Sequence, residues 1–187
     1  MQQTIQQAFP VSEEEYAVLN DKFGDLCEYQ SWQLIRKNSR NNHTDRQEDI
    51  AQEMRIAMLR AASYFKRQTY IEDCLGKCED QATDKFVKQI VDELRDLWAN
   101  KTRHGASRQK FGPHQEQMLE KLTRCLVPVS ERPDKKAPLT INSKFSTYAK
   151  SITWNSLKAL GKKITREKSI RSGMASLSEF DYLAEVL

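Results

Sequence analysis

Glycine and proline are scarce in this chain, at six and five residues, and no stretch alternates apolar with polar side chains for more than a few positions. The turn density of a sandwich or barrel is therefore missing, and the abundance of Ala, Leu, Lys, Gln and Glu makes helices the default. No apolar run approaches the roughly 18 residues of a membrane helix. Met1 to Pro10 is Gln-rich rather than basic-then-apolar, so a cytoplasmic protein with no membrane role is expected. The four cysteines (Cys27, Cys74, Cys78, Cys125) are scattered, which points to reduced thiols rather than a disulfide framework. A zinc site at Cys74 and Cys78, with His104 or His114 as further ligands, would need a regular spacing and a second pair that the sequence does not offer. Phosphate-binding glycine loops, metalloprotease helices and Ser, Cys or His constellations are also missing. The three histidines (His43, His104, His114) sit in polar contexts and read as solvated. An enzyme is not expected, nor a metal or other cofactor.

What the chain does have is charge and helical periodicity. Charged residues make up 30%, the formal net charge is +4 and the mean hydropathy is −0.74. Ser12 before Glu13, Glu14 and Glu15 reads as an N-cap with acids in the first turn. Leu26, Tyr29, Trp32, Leu34 and Ile35 fit a second helix over 25–38 or a continuation of the first. Thr44 with Gln47, or Asp45 with Glu48, forms a capping box before an amphipathic helix from Arg46 to Phe65. There Ile50, Met54, Ala57, Met58, Ala61 and Phe65 gather on one face, which is predicted to be core. Asp49, Gln52, Glu53, Ile56 and Arg60 gather on another, which is left available.

Further on, Asp84 to Trp98 carries Phe86, Ile90, Val91, Leu94 and Trp98 at helical spacing. A basic loop, a helix over 115–126 and a linker from Pro128 to Pro138 follow. Ser143 to Arg166 is predicted helical, with Phe145, Tyr148, Ala149, Ile152, Ala159 and Leu160 as core and Thr147, Ser151, Trp154, Lys158 and Lys162 opposite. Between Lys144 and Arg171 lie eight basic residues and one acid, so a polyanion is the expected partner of this segment.

Two blocks, Asp49-Ile50-Ala51-Gln52-Glu53 with Leu59 and Arg60-Ala61 beyond it, and Lys144-Phe145-Ser146-Thr147-Tyr148-Ala149 leading into a basic helix, together resemble region 2 of the sigma-70 superfamily. The resemblance covers Asp45 to Phe65 and Ser143 to Lys162. It implies an all-α helical bundle that binds core RNA polymerase, on the clamp coiled coil of the largest subunit. Asp49, Gln52, Glu53, Arg55, Ile56, Leu59 and Arg60 would form the docking face, although Arg55 stands where the family usually has Asn. It also implies capture of the non-template strand at a −10 promoter element. Lys144, Phe145, Thr147, Tyr148, Lys150, Ser151, Trp154, Asn155, Lys158, Lys162 and Lys163 would be the DNA-contacting set. Where the family has paired tryptophans, Ser151 and Ile152 stand here, and Trp154 offers a ring from a shifted position on the same stripe.

The expected organisation is 11–66 and 143–172 as the two parts of region 2, 67–142 as a helical insertion, and 173–187 as an acidic-hydrophobic tail. Lys101, Arg103, Arg108 and Lys110 in the insertion would be accessory duplex contacts. Nothing after Arg171 has the length of a helix-turn-helix that reads a −35 element, and a factor reduced in this way resembles the late sigma factors of T-even-type bacteriophages. By that resemblance Leu177, Phe180, Tyr182 and Leu183 would bind a sliding clamp or co-activator. Two rivals remain open: a polymerase-binding regulator, such as an appropriator or anti-sigma mimic, that does not engage DNA, and a nonspecific helical nucleic-acid-binding protein.

Overall fold

The computed structural model describes residues 8–38, 47–102 and 111–186. Five α-helices account for most of them: α1 (Glu13–Asn38), α2 (Gln47–Gln81), α3 (Lys85–Thr102), α4 (Pro113–Leu126) and α5 (Ser143–Val186). A 3-10 turn spans Val129–Glu131, no strand occurs among the described residues, and the fold is all-α. The chain forms two compact units. One is Val11–Ala62 with Thr140–Leu187; the other is Met1–Pro10 with Ser63–Leu139. Helix α2 contributes its first part to the former and its second part to the latter.

Local chemistry sets the helix starts. Ser12 Oγ accepts the Glu15 N–H at 3.2 Å while Glu15 Oε2 accepts the Ser12 N–H at 2.7 Å, a reciprocal cap for α1. Asp84 Oδ1 accepts the N–H groups of Phe86 and Val87 at the head of α3, and Asn142 Oδ1 accepts that of Phe145 at the head of α5. Gly112 donates its N–H to Gln115 Oε1 ahead of Pro113, the first residue of α4. Thr44 and Asp45 lie outside the described residues. Helix α1 is one continuous element, not two. Helices α2 and α5 run past their predicted ends at Phe65 and Arg166, because neither stretch contains a proline to remove a backbone donor.

In the unit of 11–62 and 140–187, three helices meet along ridges of three- and four-residue spacing. Leu19, Phe23, Cys27 and Ser31 of α1 are buried, as are Ile50, Met54, Met58 and Ala61 of α2, and Phe145, Ala149, Thr153 and Leu157 of α5. Phe145 is fully buried and meets Phe23 edge-on at 6.0 Å. The two buried hydroxyls satisfy themselves within their own helices, Ser31 on the Glu28 carbonyl and Thr153 on that of Lys150. The predicted core stripe of α5 needs correction: Thr153 and Leu157 are in it and Ala159 is exposed.

The other unit packs Ile71, Cys74, Leu75 and Cys78 of α2 against Val91, Leu94 and Trp98 of α3, Leu119 of α4, Phe111 and Val127. Trp98 meets Phe111 edge-on at 5.1 Å. Phe86, one of the residues at helical spacing, is 77% exposed in the first turn of α3. Arg132 closes the end of α4 by donating to the carbonyls of Val127 (2.9 Å) and Arg124 (2.7 Å). Arg67 and Glu116 form a largely buried ion pair.

Two measurements test this packing. Phe145→Ala should cost about 3–5 kcal/mol of unfolding free energy in urea, whereas Phe86→Ala should change it by no more than about 0.5 kcal/mol; equal effects would contradict the burial assignments. Cys27, Cys74 and Cys78 are buried, and burial pushes each thiol above its ordinary range. Only Cys125 is exposed, so one thiol should alkylate rapidly in the native protein and the other three only on denaturation.

Candidate functional site

The available face of α2 is built by default, since Ile50, Met54, Met58 and Ala61 turn inward and leave Asp49, Gln52, Glu53 and Arg60 exposed. Ile56 and Leu59 are half-buried beside them. Arg55 does not belong to this face. Its guanidinium reaches Glu28 of α1 at 2.8 Å and Glu48 at 2.7 Å, and its side chain is only 14% exposed. The hydrogen bond to Glu48 holds its pKa above the ordinary arginine range despite partial burial. Arg55 is thus a brace between α1 and α2, and the docking set is corrected to exclude it.

On α5 the ridge through Phe145, Ala149, Thr153 and Leu157 turns inward, which exposes Lys144, Thr147, Lys150, Ser151, Asn155, Lys158, Lys162 and Lys163. Thr147 spends its hydroxyl on the Ser143 carbonyl at 2.9 Å. Tyr148 is half-buried. Phe145 has no exposed area on which a base could stack, so its place in the block is structural and it leaves the contact set. Trp154 is 44% exposed, with Lys158 Nζ 5.3 Å from the centroid of its ring. That geometry pairs a stacking surface with a cation able to meet a phosphate.

Helix α5 borders two grooves, one on each flank. Toward α2, Ser156, Ala159, Leu160 and Lys163 face Glu53, Ala57 and Arg60 across a cleft of about 230 Å³. Toward α1, Trp154, Leu157, Lys158 and Gly161 meet Gln33 and Leu34 in a slot of about 150 Å³ with a mainly apolar lining. A Cβ on Gly161 would stand 3.2 Å from Leu34 Cδ1, so glycine permits this close approach.

Beside the slot, α1 carries aromatic residues that periodicity alone places on a helix without saying which way they face. Tyr29 and Trp32 are 56% and 42% exposed and stack at 6.2 Å with a 25° interplanar angle. Arg36 lies 5.1 Å from the Trp32 centroid, and the slot residue Gln33 donates to the Tyr29 hydroxyl at 2.7 Å. The signal that could have found them is the inward ridge at Leu19, Phe23, Cys27 and Ser31, which leaves positions 29, 32 and 36 outside it.

Arg103, Arg108 and Lys110 lie outside the described residues, as does the side chain of Lys101. Leu177, Phe180, Tyr182 and Leu183 belong to the helical backbone of α5, but their side chains also lie outside the description. Among the described residues no group of His, Cys, Asp and Glu is placed to hold a metal ion, and no helix is long and apolar enough to cross a membrane. No family model, curated protein or solved structure matches this chain.

Proposed function

We propose that this chain is a sigma-like transcription initiation factor that binds bacterial RNA polymerase core and directs recognition and melting of a −10-type promoter element. The observation that carries the reading is the division of labour within one helical unit. Helix α2 offers an exposed acidic and polar face at Asp49, Gln52, Glu53 and Arg60, while α5 offers an exposed ring, Trp154, among Lys150, Lys158 and Lys162. A polymerase-bound melting factor needs both: one surface for a protein, another that holds unpaired bases. Stacking of a base on an aromatic ring is worth about 1–3 kcal/mol, and nearby lysines neutralise the strand's phosphates. The apolar slot beneath Trp154 gives a displaced base a dry wall, and Tyr29 and Trp32 extend the stacking surface onto α1.

A second reading, a polymerase-binding regulator that leaves promoter DNA untouched, draws support from the burial of Phe145 and from Ser151 and Ile152 where the resembling family has tryptophans. Run-off transcription by core polymerase with and without the protein separates the two. New 5′ ends that depend on the protein support the initiation factor; their absence with retained core binding supports the regulator.

Two variants divide the surfaces. Gln52→Lys with Glu53→Lys should abolish co-purification with core polymerase and leave helicity unchanged, because both side chains point away from the core. Unchanged co-purification would remove α2 as the dock. Trp154→Ala should lower open-complex formation by about 5- to 150-fold, the equivalent of one lost stacking contact, with little loss of core binding or fold stability. Unaltered permanganate reactivity of promoter thymines would make Trp154 a bystander.

A further inference from the structure

The unit of 63–139 carries a pocket that neither interface above uses. Its volume is about 430 Å³, within the range of small-molecule sites. The walls include Pro10, Pro133, Tyr70, Arg124, Arg132 and Lys136.

Most of the charge in these walls is already committed. Arg132 is spent on two carbonyls at the end of α4. Lys135 pairs with Glu120 and also lies 5.9 Å from the Phe9 centroid and 5.6 Å from that of Tyr70. The other acid, Asp134, accepts the Lys136 N–H on Oδ1 at 2.9 Å and so fixes the turn that forms one edge. What remains is Arg124 and Lys136, both exposed and both without an ion pair among the described residues. Phe9 lies 5.4 Å from the Tyr70 ring, centroid to centroid, and Lys135 stands over it. Burial first, then Cys74, pushes this phenol above its ordinary range, and its hydroxyl is already engaged with the buried Cys74 thiol. The lining therefore combines an excess of positive charge, two cations with free valence and the apolar faces of two prolines.

We propose that this pocket binds a small phosphate-bearing ligand with a flat, partly apolar body, a nucleotide in chemical class, with its phosphate on Arg124 and Lys136 and its ring against Pro10 and Pro133. Arginine meets phosphate oxygens through its planar fork, and lysine adds a point charge.

The test uses the full chain and isothermal titration with AMP, ATP, adenosine, inorganic phosphate and a short single-stranded DNA as separate titrants. Because neither polymerase nor promoter is present, the outcome is independent of the proposed function. We expect saturable binding of AMP or ATP, at least roughly tenfold tighter than adenosine or phosphate alone. Arg124→Glu with Lys136→Glu should weaken it by at least roughly tenfold. Lys121→Glu, an exposed control on α4 outside the lining, should leave it unchanged, and circular dichroism should report the same helicity for all variants. Four outcomes overturn the proposal: no saturation by either nucleotide into the millimolar range, affinity indifferent to the double charge reversal, phosphate binding as tightly as AMP, or binding of the DNA strand without binding of mononucleotides.

Discussion

The edge-on contact of Phe145 with Phe23 fixes which side of α5 faces inward, and the rest of that helix's exposed surface follows from it. Successive buried positions on α5 are four residues apart, at 145, 149, 153 and 157. Four steps of an α-helix overshoot one turn by about 40°, so the buried stripe winds around the helix as it advances. By the level of Leu157 it has rotated enough that Ala159 is exposed. The same rotation seats Leu157 and Gly161 against Leu34 of α1 and brings Trp154 to the rim of that contact. Small residues along the ridges, Ser31, Ala61 and Ala149, allow the helices to approach, and the buried hydroxyls cost little because each bonds within its own helix.

Some long cationic side chains are spent within the fold and others are left to solvent. In the unit of 63–139, several are spent: Arg67 on Glu116, Arg132 on the end of α4, Lys66 on the Pro10 carbonyl, and Lys135 on Glu120 and two aromatic rings. In the other unit, Arg55 is spent on Glu28 and Glu48, whereas Lys144, Lys150, Lys162 and Lys163 of α5 face solvent and Lys158 lies over an indole ring rather than beside an acid. A cation already bonded to a carbonyl or carboxylate has little left to offer a phosphate. For this reason cations that the fold has not spent, such as Arg124 and Lys136 in one unit and Lys150, Lys158 and Lys162 in the other, say more about ligands than the total charge does.

Much of this was legible in the sequence. The inward face of α2 followed from periodicity alone, because Ile50, Met54, Ala57, Met58 and Ala61 are all apolar and buried. The cap at Ser12 and the starts of α3 and α5 followed from residue type. Other features were not legible, for particular physical reasons. Thr153 looks polar, and its burial depends on a bond to a carbonyl that periodicity does not reveal. Tyr29 and Trp32 look like core because large aromatics usually bury, whereas here they stack on each other outside the ridge. Phe145, the most recognisable residue of its block, suggests a contact from motif alone, yet an unbroken four-residue ridge removes it from the surface. Arg55 lies among docking-face residues in sequence, and only its partners Glu28 and Glu48 place it in the scaffold.

The arrangement of the two flanks of α5 constrains how the proposed function could work. On the α2 side, Lys163 and Arg60 share their cleft with Glu53, and no aromatic ring lines it. A strand led along that cleft would meet two cations and one carboxylate but no ring on which an unpaired base could stack. On the α1 side, the slot is lined by Gln33, Leu34, Trp154, Leu157, Lys158 and Gly161, with Tyr29, Trp32 and Arg36 beyond it. No acid lines that slot. For a chain that holds polymerase through α2 and an unpaired strand through α5, the strand's favourable course is therefore the α1 flank, where the rings stand, which leaves the α2 flank to the protein partner. Discrimination between the two partners then rests on which neighbour each flank of a single helix has been given, not on separate domains.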